Sequence, residues 1–183
     1  LNSRSPVDHA PTNGPKTATR LEAVGVKTIA DLLALKPEEG ESQIDVRHIS
    51  AQVIRDWQAQ ALLACTVPGL RSREAQALVA CGISDIEELA LMDATELCDG
   101  VARWGLSDEG QRAWGSAPAP TVDDVATWIA RAKRALEEAK MTPDDIAGVM
   151  METYQGGSAS FAPPEYVKIL RARWDKHDSV LTV

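Results

Sequence analysis

The sequence is short of the residues that metal and redox chemistry need. Its 183 residues include three cysteines and three histidines. Cys65, Cys81 and Cys98 form no C-x-x-C pair, and His9, His48 and His177 lie far apart, so the spacing of a zinc site is missing. The thiols read instead as reduced, buried residues of a cytoplasmic protein. No metal and no cofactor are expected. No apolar run approaches the ~18 residues of a membrane-spanning helix. Residues 1–14, LNSRSPVDHAPTNG, are polar and proline-punctuated, without the apolar stretch of a secretory leader. There is no phosphate loop of the NTPase type and no nucleophile–base set; Ser158 and Ser160 have no histidine near them in sequence. The expectation is a protein that is not an enzyme. Basic charge is also scarce. Lys and Arg number 19 against 27 Asp and Glu, a net charge of −8, which argues against wholesale attraction to nucleic acid or an anionic membrane.

What the sequence does contain is an internal repeat. GPKTATRLEAVGVKTIADLLAL, from Gly14, aligns without a gap on RSREAQALVACGISDIEELALM, from Arg71, a step of 57 residues (71 − 14). Ala18 falls on Ala75, Leu21 on Leu78, Gly25 on Gly82, Val26 on Ile83, Ile29 on Ile86 and Leu32 on Leu89. Each copy predicts a short helix, 17–24 or 72–81, ended by a glycine at C′, where a positive φ costs nothing. Thr28 or Ser84 then caps a second helix with apolar positions three and four apart. Neither unit can bury its apolar face alone, so the two copies are expected to pack together. Between them, residues 50–65 predict one longer helix with Ile54, Trp57, Ala61 and Leu62 as its apolar stripe, stopped by Pro68 and Gly69.

VPGLRSREAQALVACGISDIEELA resembles a helix-hairpin-helix element, whose usual form is apolar-P-G-apolar-G-x-x-x-A-x-x-L followed by G-I-x-T/S-I-x-E-L. APTNGPKTATRLEAVGVKTIADLLA is similar. Over about residues 11–130 the chain resembles a bacterial family of tandem helix-hairpin-helix domains of unknown function. The resemblance implies an all-α fold of two pseudo-symmetric hairpin units followed by further helices. In such hairpins, backbone N–H groups at the start of the second helix hold a phosphate without reading a base. Carried over by position, Gly14, Lys16 and Arg20 in the first hairpin and Gly69, Arg71 and Arg73 in the second are the phosphate or nucleic-acid candidates. Both turns depart from the pattern: Thr12 and Asn13 replace a glycine and an apolar anchor, and Arg71 replaces the second glycine. The scarce basic residues nonetheless gather here, with five Lys/Arg against three Asp/Glu in residues 1–36 and one against eight in residues 79–110.

The organisation expected is an N-terminal extension (1–12), a tandem hairpin domain (13–116), a helical extension (117–155), and a loop with a C-terminal helix (156–183). Ser107 caps DEGQRAW within residues 94–115. Thr121 starts a helix to about Lys140 with Val125, Trp128, Ile129, Ala132 and Leu136 as its stripe. MTPDDIAG predicts another helix start at Thr142. A connector, QGGSASFAPP, and the last helix, PPEYVKILRARWDKH, together gather Phe161, Tyr166, Ile169, Leu170 and Trp174 within fourteen residues, although Phe and Tyr total three in the chain. These are the partner-binding candidates. The function expected is a non-catalytic helical adaptor or structural subunit that binds protein through the hairpin face or the C-terminal helix. The alternative is sequence-nonspecific binding of a DNA or RNA backbone through the two hairpins.

Overall fold

In the computed structural model, described for residues 1–12, 14–140 and the strand segments noted below, most helices begin where the sequence supplies a side-chain cap or a proline at the first helical position. Helix α1 (Pro15–Ala23) starts on proline behind Gly14, and α5 (Ser72–Ala80) starts behind Arg71. Helices α2 (Ile29–Ala34) and α6 (Ile86–Leu91) follow them. Both pairs keep the 57-residue step at both ends. Gly25 and Gly82 have φ of +89° and +86°. Beyond each, the Val26 N–H donates to the Leu21 carbonyl at 2.9 Å and the Ile83 N–H to the Leu78 carbonyl at 3.0 Å, the same helix-closing bond in both copies.

The second caps also correspond, one residue later than the sequence reading placed them in the second copy. Thr28 accepts from the Asp31 N–H at 3.2 Å, while Asp85, not Ser84, accepts from the Glu88 N–H at 2.8 Å. Ser84 instead donates its N–H and its hydroxyl to Glu88 Oε2. Asp85 is a better cap than serine placed one residue too early, because it leaves Ser84 free to bind the returning carboxylate.

Helix α3 (Pro37–Ile44) was not anticipated; its signals are proline at the first position and Glu38 and Glu39 against the dipole. Asp45, at φ +45°, ends it. Helix α4 (Ala51–Thr66) is capped by Ser50, whose hydroxyl accepts from the Val53 N–H. Its buried positions are Ile54, Trp57, Gln60, Ala61 and Leu63; Leu62 is only half-buried, so the apolar stripe ends one residue later than periodicity suggests. Helices α7 (Ala94–Gly105), α8 (Asp108–Trp114) and α9 (Val122–Lys140) follow, capped by Asp93, Ser107 and Thr121.

The two copies do not share one core. The first copy buries Ala18, Leu21, Val26, Ile29 and Leu32 with Ile54, Trp57 and Ala61 of α4. The second buries Ala75, Leu78, Ile83, Ile86 and Leu89 with Leu63 and Val67, and adds Leu97, Val101, Val125, Trp128 and Ile129. Each copy thus buries its apolar residues against α4 in a core of its own, so the expectation that the two share one packed face is corrected; the contact of Gln76 in the second copy with the Pro11 carbonyl is polar. The N-terminal segment belongs to the first core. Val7, in a 3₁₀ turn (Val7–His9), is fully buried, its N–H bonds to the Lys27 carbonyl, and the Ile29 N–H bonds to the Ser5 carbonyl.

The chain divides into two units, Leu1–Leu136 and Glu137–Val183. The fold is all-α, and the first unit has nine α-helices among its described residues. In the second, β1 (Gly148–Met150) pairs in parallel with β4 (Val180–Thr182), and β2 (Tyr154–Gln155) pairs antiparallel with β3 (Ser160–Phe161). At 148–150 and 154–155 the chain is therefore extended where the sequence predicts a helical extension, while the helix start expected at Thr142 lies outside the described residues.

Candidate interaction cleft

The two groups of basic candidates are held differently. In the first hairpin Gly14 is the N-cap of α1 with φ −68°, a conformation open to any residue, so it is not a left-handed turn glycine. Lys16 is exposed. Arg20 is half-exposed, and its guanidinium lies 3.3 Å from His48 Nε2. Asn13 lies outside the described residues.

In the second hairpin Gly69 does take a positive φ, +73°. Leu70 is buried beside it as an apolar anchor. The Arg71 N–H, which an external phosphate would need, donates to Glu74 Oε2 at 2.8 Å, and Glu74 is itself buried. The other Glu74 oxygen stands 3.8 Å from Arg71 Nε. Arg73 lies over the Trp114 ring, 5.4 Å from its centroid. Arg131, from α9, donates to the Gly69 carbonyl at 3.4 Å.

These residues surround a cleft of about 310 Å³ walled by Gly69, Arg71, Arg73, Trp114, the Pro118–Pro120 segment and Arg131. The segment between α8 and α9 forms one wall. Asp124 lies on the rim. The Thr121 N–H and hydroxyl hold its carboxyl below the usual carboxylate range, and Arg71 acts in the same direction. Glu74 and Asp124, the two carboxylates that line the cleft, each accept a backbone N–H at a helix start, and three arginines line it with them. Gly14, Lys16 and Arg20 do not line it. Arg131 was not among the sequence candidates, because a basic residue in mid-helix usually marks a solvated face.

Over residues 11–135 the chain matches the family model described as a domain of unknown function, DUF4332. The chain belongs to that family. The DUF4332 span ends inside α9 and so contains every residue of the cleft. No curated protein and no solved structure matches the chain.

Among the described residues no group of three or more His, Cys, Asp or Glu is placed to hold a metal ion, and no helix is long and apolar enough to cross a membrane. Cys98 is buried, with its Sγ 3.6 Å from the Pro120 carbonyl, while Cys65 and Cys81 are half-buried. Burial pushes both half-buried thiols up, Arg103 opposing this at Cys81, so neither has the lowered value of a reactive thiol. Of the partner-binding candidates, Tyr166, Ile169, Leu170 and Trp174 lie outside the described residues, and Phe161 is described only as backbone in β3.

Proposed function

We propose that this DUF4332 protein is a non-catalytic helical adaptor or structural subunit that binds protein. In this reading α1–α2 and α5–α6 are the two helix-hairpin-helix units, and their equal lengths, matching glycine φ values and repeated caps support it. The observation that carries the functional reading is how the second turn uses its own polar groups. Glu74 takes the Arg71 N–H and Arg131 takes the Gly69 carbonyl. A buried carboxylate thus sits where a phosphate oxygen would bind, and the net charge of −8 opposes a polyanion at long range.

A second reading, nonspecific backbone binding, draws support from the three arginine side chains that gather at the second turn. Fluorescence anisotropy with labelled single- and double-stranded DNA at low salt separates the two. The adaptor reading expects no saturable binding up to about 100 µM, the weak end of nonspecific affinities. Salt-sensitive binding that disappears in the Lys16→Glu/Arg71→Glu double variant would replace it with the second reading.

A further inference from the structure

We propose that the arginine cleft receives the exposed end of α6 from a second copy of this chain, giving a weak head-to-tail association. The proposal deepens the structural-subunit reading and rests on it. It starts from Leu91, the last residue of α6, which is 87% exposed while Ile86 and Leu89 of the same helix are buried.

The repeat shows that Leu91 is not needed to build the unit. One step of 57 earlier the position is Ala34, and the position of Glu87 is Ala30. Glu87 and Leu91, four residues apart on one exposed helix face, are therefore a feature of the second copy alone. They form an apolar tip beside a carboxylate that makes no ion pair among the described residues. Neighbouring Glu88 and Asp93 are engaged as caps, and Glu96 adds a further acidic group.

The cleft presents the complement. Trp114, Pro118 and Pro120 offer apolar walls, and Arg71, Arg73 and Arg131 outnumber the two carboxylates of the lining, Glu74 and Asp124, which already accept backbone N–H groups at helix starts. A carboxylate on arginine is a charge-assisted pairing, and tryptophan and arginine are enriched where interfaces concentrate their binding energy, so Trp114 and the three arginines are the anchors and the leucine tip is what they receive. The tip and the cleft are different surfaces, so the contact is heterologous and propagates rather than closing on a twofold axis. The cleft is small, so the association belongs to the weak, transient class.

Sedimentation velocity of the full chain at concentrations up to about 1 mM tests this. Expected is a reversible, concentration-dependent rise in mass, with affinity falling about fivefold or more between low and high salt. Leu91→Asn and Arg131→Glu should each abolish it. Their equimolar mixture should regain association but stop at dimers, since one variant supplies only a cleft and the other only a tip. Leu91→Ala, which installs the first copy's residue, and Arg73→Gln provide milder variants, and circular dichroism checks that all remain folded. A wild-type chain that stays monomeric throughout, self-association that survives in both Leu91→Asn and Arg131→Glu, or a mixture that stays monomeric would each overturn the proposal.

Discussion

Gly25 and Gly82 show how much one residue type can state in advance. A glycine following a short apolar-periodic run is the ordinary mark of a left-handed helix end, and both adopt it. Gly25→Val and Gly82→Val should each destabilise the fold by about 1–2 kcal/mol in urea unfolding. Gly14→Ala, with φ −68° and open space around its Cβ position, should be close to neutral. Leu21→Ala and Leu78→Ala, both fully buried, should cost about 2–5 kcal/mol each by the same measurement. Gly110 is the counterexample. A Cβ there would meet the Trp104 carbonyl and lie 2.7 Å from Gly105 Cα, so Gly110→Ala must displace backbone. Nothing in DEGQRAW reveals that approach, since it depends on how tightly α7 turns into α8.

At the scale of elements, most helices were legible because their caps are local. The signals at Thr28, Ser50, Ser107 and Thr121 lie within four residues of the bonds they make. The errors came where neighbouring residues compete. Ser84 and Asp85 both suit a cap, and only the returning Glu88 carboxylate separates their roles. Helix α3, ending in a left-handed aspartate rather than a glycine, lacked the usual stop. The cap carboxylates also set a pH response. The Asp31 carboxyl is held below its ordinary value of 3.8, first by the Thr28 hydroxyl and then by the Lys27 and Thr28 amides. Glu88 is held below 4.5, first by the Ser84 amide, and Asp124 below 3.8, first by the Thr121 amide. A folded-state value below the unfolded one means that the stabilisation is complete above the unfolded value and disappears as pH falls through the folded one. Urea-unfolding free energy should therefore be flat from neutral pH to about pH 5 and fall below it. The triple variant Asp31→Asn/Glu88→Gln/Asp124→Asn should show a shallower acid slope.

Across the whole molecule, the repeat made the helical class and both packing faces readable, yet it misdirected the assembly. Two copies of one pattern suggest mutual burial. Instead α4 offers a different stripe at each end, and only long-range packing decides which end each copy takes. The cleft was half legible: Gly69, Arg71 and Arg73 stood out, whereas Arg131 and Trp114 reach it from distant segments. The arrangement around α4 carries a consequence for cooperativity. At 16 residues α4 is little longer than the ~12–15 below which isolated helices are marginal, so its helicity is expected to depend on the two cores that pack on it. Loss of the first core frays the helix on which the second depends. Trp57→Ala, expected to cost about 3–5 kcal/mol, should therefore reduce amide-exchange protection in α5 as well as in α2. Calorimetric and van't Hoff enthalpies of the Leu1–Leu136 unit should agree, because one shared helix makes two duplicated cores melt as a single transition.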